Sequence, residues 1–164
     1  MISPLDTPQG EALICDFGMA RIIADIQQNG ILLSETLSHS SSSRWMAPEL
    51  IHEDVAVLTF ACDVWSFGMT MLELFTMHDP WAERKRDAHV NEATKKGLKP
   101  VRPQPCPQLT DHIWAIMLEC WEKDPTKRPV MATVTSRIQG AADIQPAVCF
   151  SLNPSRRSEL KTVL

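Results

Sequence analysis

The residues most able to do chemistry in this chain stand in short motifs, and the first of these is Asp16-Phe17-Gly18. An apolar run over residues 12–15 comes directly before it and has the composition of a short buried strand. A carboxylate at the end of such a strand offers the oxygen that a hard cation such as Mg²⁺ prefers. One carboxylate alone is a weak metal site, and Asp with a following Gly is also the composition of an ordinary turn.

The later motifs keep a fixed order: Arg44-Trp45-Met46-Ala47-Pro48-Glu49, Asp63-Val64-Trp65-Ser66-Phe67-Gly68, Cys120-Trp121, Asp124-Pro125 and Arg128-Pro129. Taken singly, each has a plain structural explanation. Glu49 and Asp63 both fall near the start of a predicted helix, where a negative charge is favourable. The order of the whole set across residues 12–138 is what makes coincidence a poor explanation.

Together these motifs resemble the second half of a protein kinase domain, in the tyrosine-kinase-like branch of the Ser/Thr kinases. The separation of Asp16 from Glu49 suits an activation segment over residues 16–49. The resemblance implies the large lobe of that domain, with the chain truncated before the Asp-Phe-Gly motif. The family activity that it implies is ATP-dependent phosphorylation of Ser or Thr in proteins.

The resemblance also implies cofactors, ATP and Mg²⁺, with Asp16, Phe17 and Gly18 as what is left of the binding loop. Kinases add a Gly-rich loop, a Lys that contacts ATP, a His-Arg-Asp loop and an Asn on the second magnesium. The 164 residues contain none of these four. We therefore expect no catalytic residue in the isolated chain, no bound ATP or Mg²⁺, and no kinase activity.

Four residues receive structural roles from the resemblance: Glu49, Asp63, Trp65 and Arg128. Glu49 is expected to form a buried ion pair with Arg128. In the family, an Asp at the position of Asp63 hydrogen-bonds to the catalytic-loop backbone at the start of a buried helix that also carries Trp65. Since that loop is missing here, Asp63 can instead serve only the first turn of its own helix.

The activation segment holds the phosphorylation candidates, which are Thr36, Ser40, Ser41, Ser42 and Ser43. In active family members, phosphorylation of this segment orders it through contacts with Arg. The alternative is a flexible Ser-rich loop with no regulatory role.

The predicted fold is mainly α, a large-lobe fragment that opens with a short β-hairpin or strand. Residues 1–139 form a partial kinase domain, with helices in residues 50–139, and residues 140–164 form a flexible tail. Helices are predicted near residues 47–52, 62–77, 87–96, 109–122 and 130–138 from apolar spacing and from Gly and Pro breakers.

Composition limits the partners and the compartment. The net charge of −4 argues against a nucleic-acid or anionic-membrane partner, and the most apolar stretch, residues 60–77, is too short to span a membrane. Five scattered cysteines without metal spacing fit a reduced, cytoplasmic or nuclear setting. The rival function is a non-catalytic interaction module, whose exposed apolar face near Phe17 binds a protein partner or the missing small lobe.

Overall fold

The computed structural model describes residues 2–3, 13–14, 43–52 and 57–144 of the chain, and for residues 2–3, 13–14 and 142–144 it describes the backbone alone. The strands are β1 (Ile2–Ser3) and β2 (Leu13–Ile14). The helices are α1 (Pro48–His52), α2 (Phe60–Thr76), α3 (Asp87–Lys95), α4 (Asp111–Cys120) and α5 (Met131–Ile144), with a 3-10 turn over Pro125–Lys127. The prediction of a mainly helical fold is confirmed.

The chain opens with the predicted hairpin, in its shortest form. β1 and β2 pair antiparallel, with Ile2 opposite Ile14 and Ser3 opposite Leu13. An apolar run paired with a strand that is interrupted by Pro4 can form only a short ladder, because proline lacks the backbone N–H that the ladder needs.

Helix α2 is the centre of the core, as its sequence predicts. Its apolar residues lie on every side, and nine positions between Cys62 and Glu73 are buried. The helix begins two residues before the predicted start and ends at Thr76. Met77 then adopts a left-handed conformation with φ 57°, and its N–H donates to the carbonyl of Glu73.

Helix α4 packs against α2 through a small residue. The buried face of α4 carries Ile113, Ile116, Met117 and Cys120, which is the face that the helical spacing predicts. Gly68 of α2 lies so close to Cys120 and Trp121 that a Cβ there would come within 2.7 Å of the Trp121 indole nitrogen. The two helices can approach this closely only because position 68 carries no side chain.

Helix α5 runs to Ile144, six residues beyond its predicted end and into the segment that was assigned to the tail. Val134 is buried, and Met131 and Ile138 pack against the core, as predicted. Two tertiary contacts hold this end of the helix. Ala141 also packs against the core, and Arg137 donates two hydrogen bonds to Glu119 of α4. The rest of the predicted tail, residues 145–164, lies outside the described residues.

The segment between α3 and α4 contains no helix or strand over residues 98–110, in line with its four prolines, and the Gln104–Pro105 peptide bond is cis. α4 begins after Thr110, whose hydroxyl accepts a hydrogen bond from the N–H of Ile113. This cap explains why the helix starts two residues later than predicted.

Candidate functional site

The described part of the chain contains five of the predicted site residues: Ser43, Glu49, Asp63, Trp65 and Arg128. The predicted nucleotide and magnesium residues Asp16, Phe17 and Gly18 lie outside it, as do Thr36 and Ser40–Ser42. Residues 43–52 and 57–144 contain no group of three or more His, Cys, Asp or Glu side chains that could hold a metal ion. The described residues therefore include the end of the predicted activation segment, residues 43–49, and the helical core against which it lies.

Glu49 and Arg128 form a two-pronged ion pair in the interior. The guanidinium Nη1 donates to Oε1 at 2.6 Å, and Nη2 donates to Oε2 at 2.8 Å. The Arg128 side chain is fully buried, and 9% of the Glu49 side chain is exposed. Paired, charge-assisted hydrogen bonds of this kind are among the strongest in proteins.

Two further N–H groups of Arg128 are also used. Nη1 donates to the carbonyl of Ala61 at 2.8 Å, and Nε donates to the carbonyl of Glu122 at 2.8 Å. The guanidinium carbon lies 5.0 Å from the centre of the Trp65 ring, a cation–π distance. Trp65 thus forms one wall of the ion-pair site, and four of the five N–H groups of this guanidinium have an acceptor inside the core.

Short local elements bring the two partners into place. Pro48 occupies the first turn of α1, where its missing N–H does no harm, and Glu49 follows it. On the other side, the Asp124 carboxylate caps the 3-10 turn by accepting from the N–H of Thr126, and Arg128 follows that turn. The thiol of Cys62 donates a third hydrogen bond to the Glu49 carboxylate at 3.3 Å.

The environment of Glu49 keeps it ionised. Burial by itself raises the pKa of this carboxyl, but the hydrogen bonds and charge of Arg128, with the Cys62 thiol, outweigh burial and hold the pKa below its usual 4.5. Burial raises the pKa of the Cys62 thiol above its usual 9.0, and the neighbouring carboxylate adds to this rise. Cys62 is therefore a neutral hydrogen-bond donor here, with no reactive thiolate.

Arg44 is a second basic residue that fixes the end of the activation segment. Its guanidinium donates to the carbonyls of Pro80, Trp81 and Arg84 at 3.0, 3.2 and 2.9 Å, and to the Asp87 carboxylate at 2.8 Å. Arg44 thereby ties residues 43–49 to the loop between α2 and α3.

Trp45 makes the next link to the core. Its indole N–H donates to the Glu73 carboxylate at 3.0 Å, and its carbonyl accepts from the Ser66 hydroxyl at 2.9 Å. Both partners belong to α2, and Trp45 is only 4% exposed. Residues 44, 45 and 49 are thus each held by a different set of hydrogen bonds.

Asp63 stands in the first turn of α2 with its side chain at the surface. Within residues 43–52 and 57–144 its carboxylate has no hydrogen bond or ion pair, and partial burial raises its pKa above the usual 3.8. The structure therefore places Asp63 in the first turn of its own helix, where the helix N-terminus favours a negative charge.

Ser43 differs from an accessible phosphorylation site. It is 1% exposed, and its hydroxyl has no hydrogen-bond partner within the described part of the chain. Since a modifying enzyme must reach the hydroxyl, phosphorylation of Ser43 requires residues 43–46 to open first.

Two of these contacts were missed from the sequence. Arg44 was quoted as part of a motif but given no task, because three of its acceptors are backbone carbonyls that leave no side-chain signature. Cys62 was read as a small buried hydrophobe, and its bond to Glu49 appears only once the two helices are placed. Its position directly before the Asp63 motif was the available signal.

The fold and this site define the large lobe of a protein kinase domain. The family profile described as "Protein tyrosine and serine/threonine kinase" matches residues 5–138, and the chain belongs to this family. The prediction of a kinase large-lobe fragment is thereby confirmed. Kinases of this family in general use ATP and Mg²⁺.

Several similar curated proteins are growth factor receptors. The chain is 34% identical over 129 residues to the mast/stem cell growth factor receptor Kit of Takifugu rubripes, and 34% identical over 146 residues to Kit of Gallus gallus. It is 33% identical over 126 residues to the vascular endothelial growth factor receptor 1 of Mus musculus. The matches cover 78%, 87% and 76% of this chain but 12%, 14% and 9% of those relatives.

A search of the described residues for a membrane-crossing helix gave a negative result: none is both long enough and apolar enough.

Proposed function

We propose that this chain is part of an ATP-dependent protein kinase and that it supplies the platform on which the activation segment ends. The observation that carries the proposal is the buried pair of Glu49 with Arg128, supported by the four acceptors of Arg44. These contacts fix residues 44–49 on the helical core, and a fixed segment end is what an incoming acceptor protein requires.

For the 164-residue chain by itself, we propose that no phosphate is transferred. Phosphoryl transfer depends on positioning and on charge stabilisation, and the sequence has no Gly-rich loop, no His-Arg-Asp loop and no second magnesium ligand. Asp16 would then be the only residue that could bind the Mg²⁺ of Mg·ATP, and one carboxylate is too few ligands for useful affinity.

The test is a transfer assay on the purified chain with Mg·ATP and a generic protein acceptor, run beside Asp16→Asn. We expect the two proteins to give the same background. Transfer by the unmodified chain that Asp16→Asn abolishes would overturn the proposal of inactivity.

For the complete kinase, we propose Ser or Thr as the acceptor, supported by the motif over residues 44–49. The family profile covers both tyrosine and Ser/Thr kinases, so the acceptor must be measured. Phosphoamino-acid analysis of protein labelled by the complete kinase separates the two. Phosphotyrosine as the sole product would replace this proposal.

A second candidate is an interaction module, favoured by an apolar patch at the start of α2. Phe60 is 90% exposed, and Val57 and Leu58 are 58% and 38% exposed. Exposed apolar side chains grouped in this way mark contact sites. We propose that the patch contacts a protein, either a scaffold or the small lobe and catalytic loop of a kinase.

Dye binding tests this patch. Phe60→Ser should lower the fluorescence of an apolar dye such as anilinonaphthalene sulfonate, whereas Phe67→Leu, a change in the packed part of α2, should not lower it. Equal fluorescence of Phe60→Ser and the unmodified chain would show that the patch is not a contact surface.

A further inference from the structure

A cavity of about 320 Å³ opens at the C-terminal end of α2, away from the ion pair. Its apolar lining is supplied mainly by Leu72, Trp81, Val101 and Pro103, and Asp79 and Glu83 also line it. Its volume is at the lower end of the range for small-molecule sites in proteins, which begins at roughly 300 Å³.

The wall of this cavity is held in place before any ligand arrives. Arg44 binds the carbonyls of Pro80, Trp81 and Arg84, the backbone of the lining loop. Trp81 keeps a left-handed backbone with φ 61°, which is uncommon for a bulky residue. Strained backbone that its surroundings hold fixed is a feature of ligand sites, since a preformed wall lowers the entropy lost on binding.

The charge around the cavity is negative. Asp79 has no ion pair within residues 43–52 and 57–144, and the nearest cation to Glu83 is Arg84 at 4.0 Å. The cation that lines the cavity, Arg102, is already compensated by the Asp111 carboxylate at 2.5 Å. Asp79 therefore lacks a compensating charge within the described residues, and Glu83 has only its long contact with Arg84.

Trp81 adds an unused polar group. It is 1% exposed, it lines the cavity, and its indole N–H has no acceptor within the described part of the chain. A ligand that enters the cavity must contact this side chain, so Trp81 also reports on binding.

We propose that this cavity binds a small organic cation, with its apolar body against Leu72, Trp81 and Val101 and its positive charge toward Asp79 and Glu83. The apolar wall provides the area for binding, and the two carboxylates select for positive charge. Neither the kinase function proposed above nor the likeness to growth factor receptors assigns a ligand here. A ligand in this cavity would contact the loop between α2 and α3 that Arg44 binds, and would therefore affect residues 43–49.

The experiment is a titration of the full ¹⁵N-labelled chain with 2-phenylethylamine, followed through the indole N–H resonances of its five tryptophans. Trp81→Phe identifies the resonance of Trp81. We expect that resonance to shift in a saturable way. The neutral alcohol 2-phenylethanol has the same ring and length and should bind about five-fold more weakly, because it lacks the charge.

Variants test the carboxylates. The double variant Asp79→Asn with Glu83→Gln should weaken amine binding about five-fold and leave alcohol binding unchanged. Glu92→Gln removes an exposed carboxylate of α3 that pairs with Lys96, and it should change neither the binding of the amine nor that of the alcohol. The proposal is overturned if the Trp81 resonance does not shift, if amine and alcohol bind equally, or if the double variant binds the amine as tightly as the unmodified chain.

Discussion

Arg128 and Glu49 stand 79 residues apart in the sequence and meet in the core through two parallel hydrogen bonds of 2.6 and 2.8 Å. The pair joins the end of the activation segment to the turn that precedes the last helix. Because both charges are withdrawn from water, each depends on the other for its solvation. The pair is therefore the most sensitive electrostatic contact in the described part of the chain.

Arg128→Ala should destabilise the chain by about 3–5 kcal/mol, because it leaves the Glu49 carboxylate buried without its cation. Arg137→Ala is the matched control, since Arg137 also binds a glutamate with two hydrogen bonds but has 32% of its side chain exposed. That variant should lose about 1 kcal/mol or less. Unfolding in urea, followed by tryptophan fluorescence, measures both. Equal losses in the two variants would show that burial does not strengthen the Glu49 contact.

The free energy of unfolding should depend on pH in part through the titration of Glu49. Its pKa lies below 4.5 in the folded chain, so the unfolded state binds protons more readily than the folded state as the pH falls. The stabilisation that the ionised Glu49 contributes is present in full above about pH 4.5, and it is lost as the pH falls through the pKa of Glu49 in the folded chain. In the variant Glu49→Gln, the fall in stability on acidification from about pH 6 to about pH 3 should be shallower. Parallel pH profiles of the two proteins would contradict this account of the pair.

The two helical glycines should respond to alanine in opposite directions. Gly68→Ala places a methyl group 2.7 Å from the Trp121 nitrogen and 2.9 Å from the Cys120 Cβ, so α2 and α4 must separate, at a cost of about 1–3 kcal/mol. At Gly140 a Cβ meets nothing within 4 Å, and Gly140→Ala should stabilise α5 by about 0.5–1 kcal/mol. Thermal melts decide the signs. Stabilisation by Gly68→Ala would show that the helices do not pack this closely.

The sequence predicted the helices well where interactions between residues near each other in the chain determine them. Helical spacing located the buried face of α4, and the all-round apolar character of α2 placed that helix in the core. The predicted bounds differ from the observed ones by only a few residues at most ends. The end of α5 was predicted too early, because the apolar spacing that marked the helix was followed only to Ile138. The contacts of Arg137 and Ala141, which are tertiary, carry the helix past that residue.

The site was predictable only where side chains of fixed type meet. Glu49 and Arg128 were paired through the resemblance to protein kinases, in which the Glu of this motif forms a buried ion pair with a late Arg. Arg44 was not, because its carbonyl acceptors belong to a loop whose path cannot be read from residue types. The left-handed backbone of Trp81, and the cavity that this residue lines, could not be predicted either, because a turn without glycine gives no sequence signal.

The most direct test of the central claim, that this chain is a platform without the means to hold a nucleotide, is calorimetric titration of the purified 164-residue chain with Mg·ATP. Asp16→Asn serves as the reference. We predict no saturable heat from either protein up to about millimolar ATP, because one carboxylate is too few ligands for Mg²⁺. Saturable binding by the unmodified chain that Asp16→Asn removes would contradict the account.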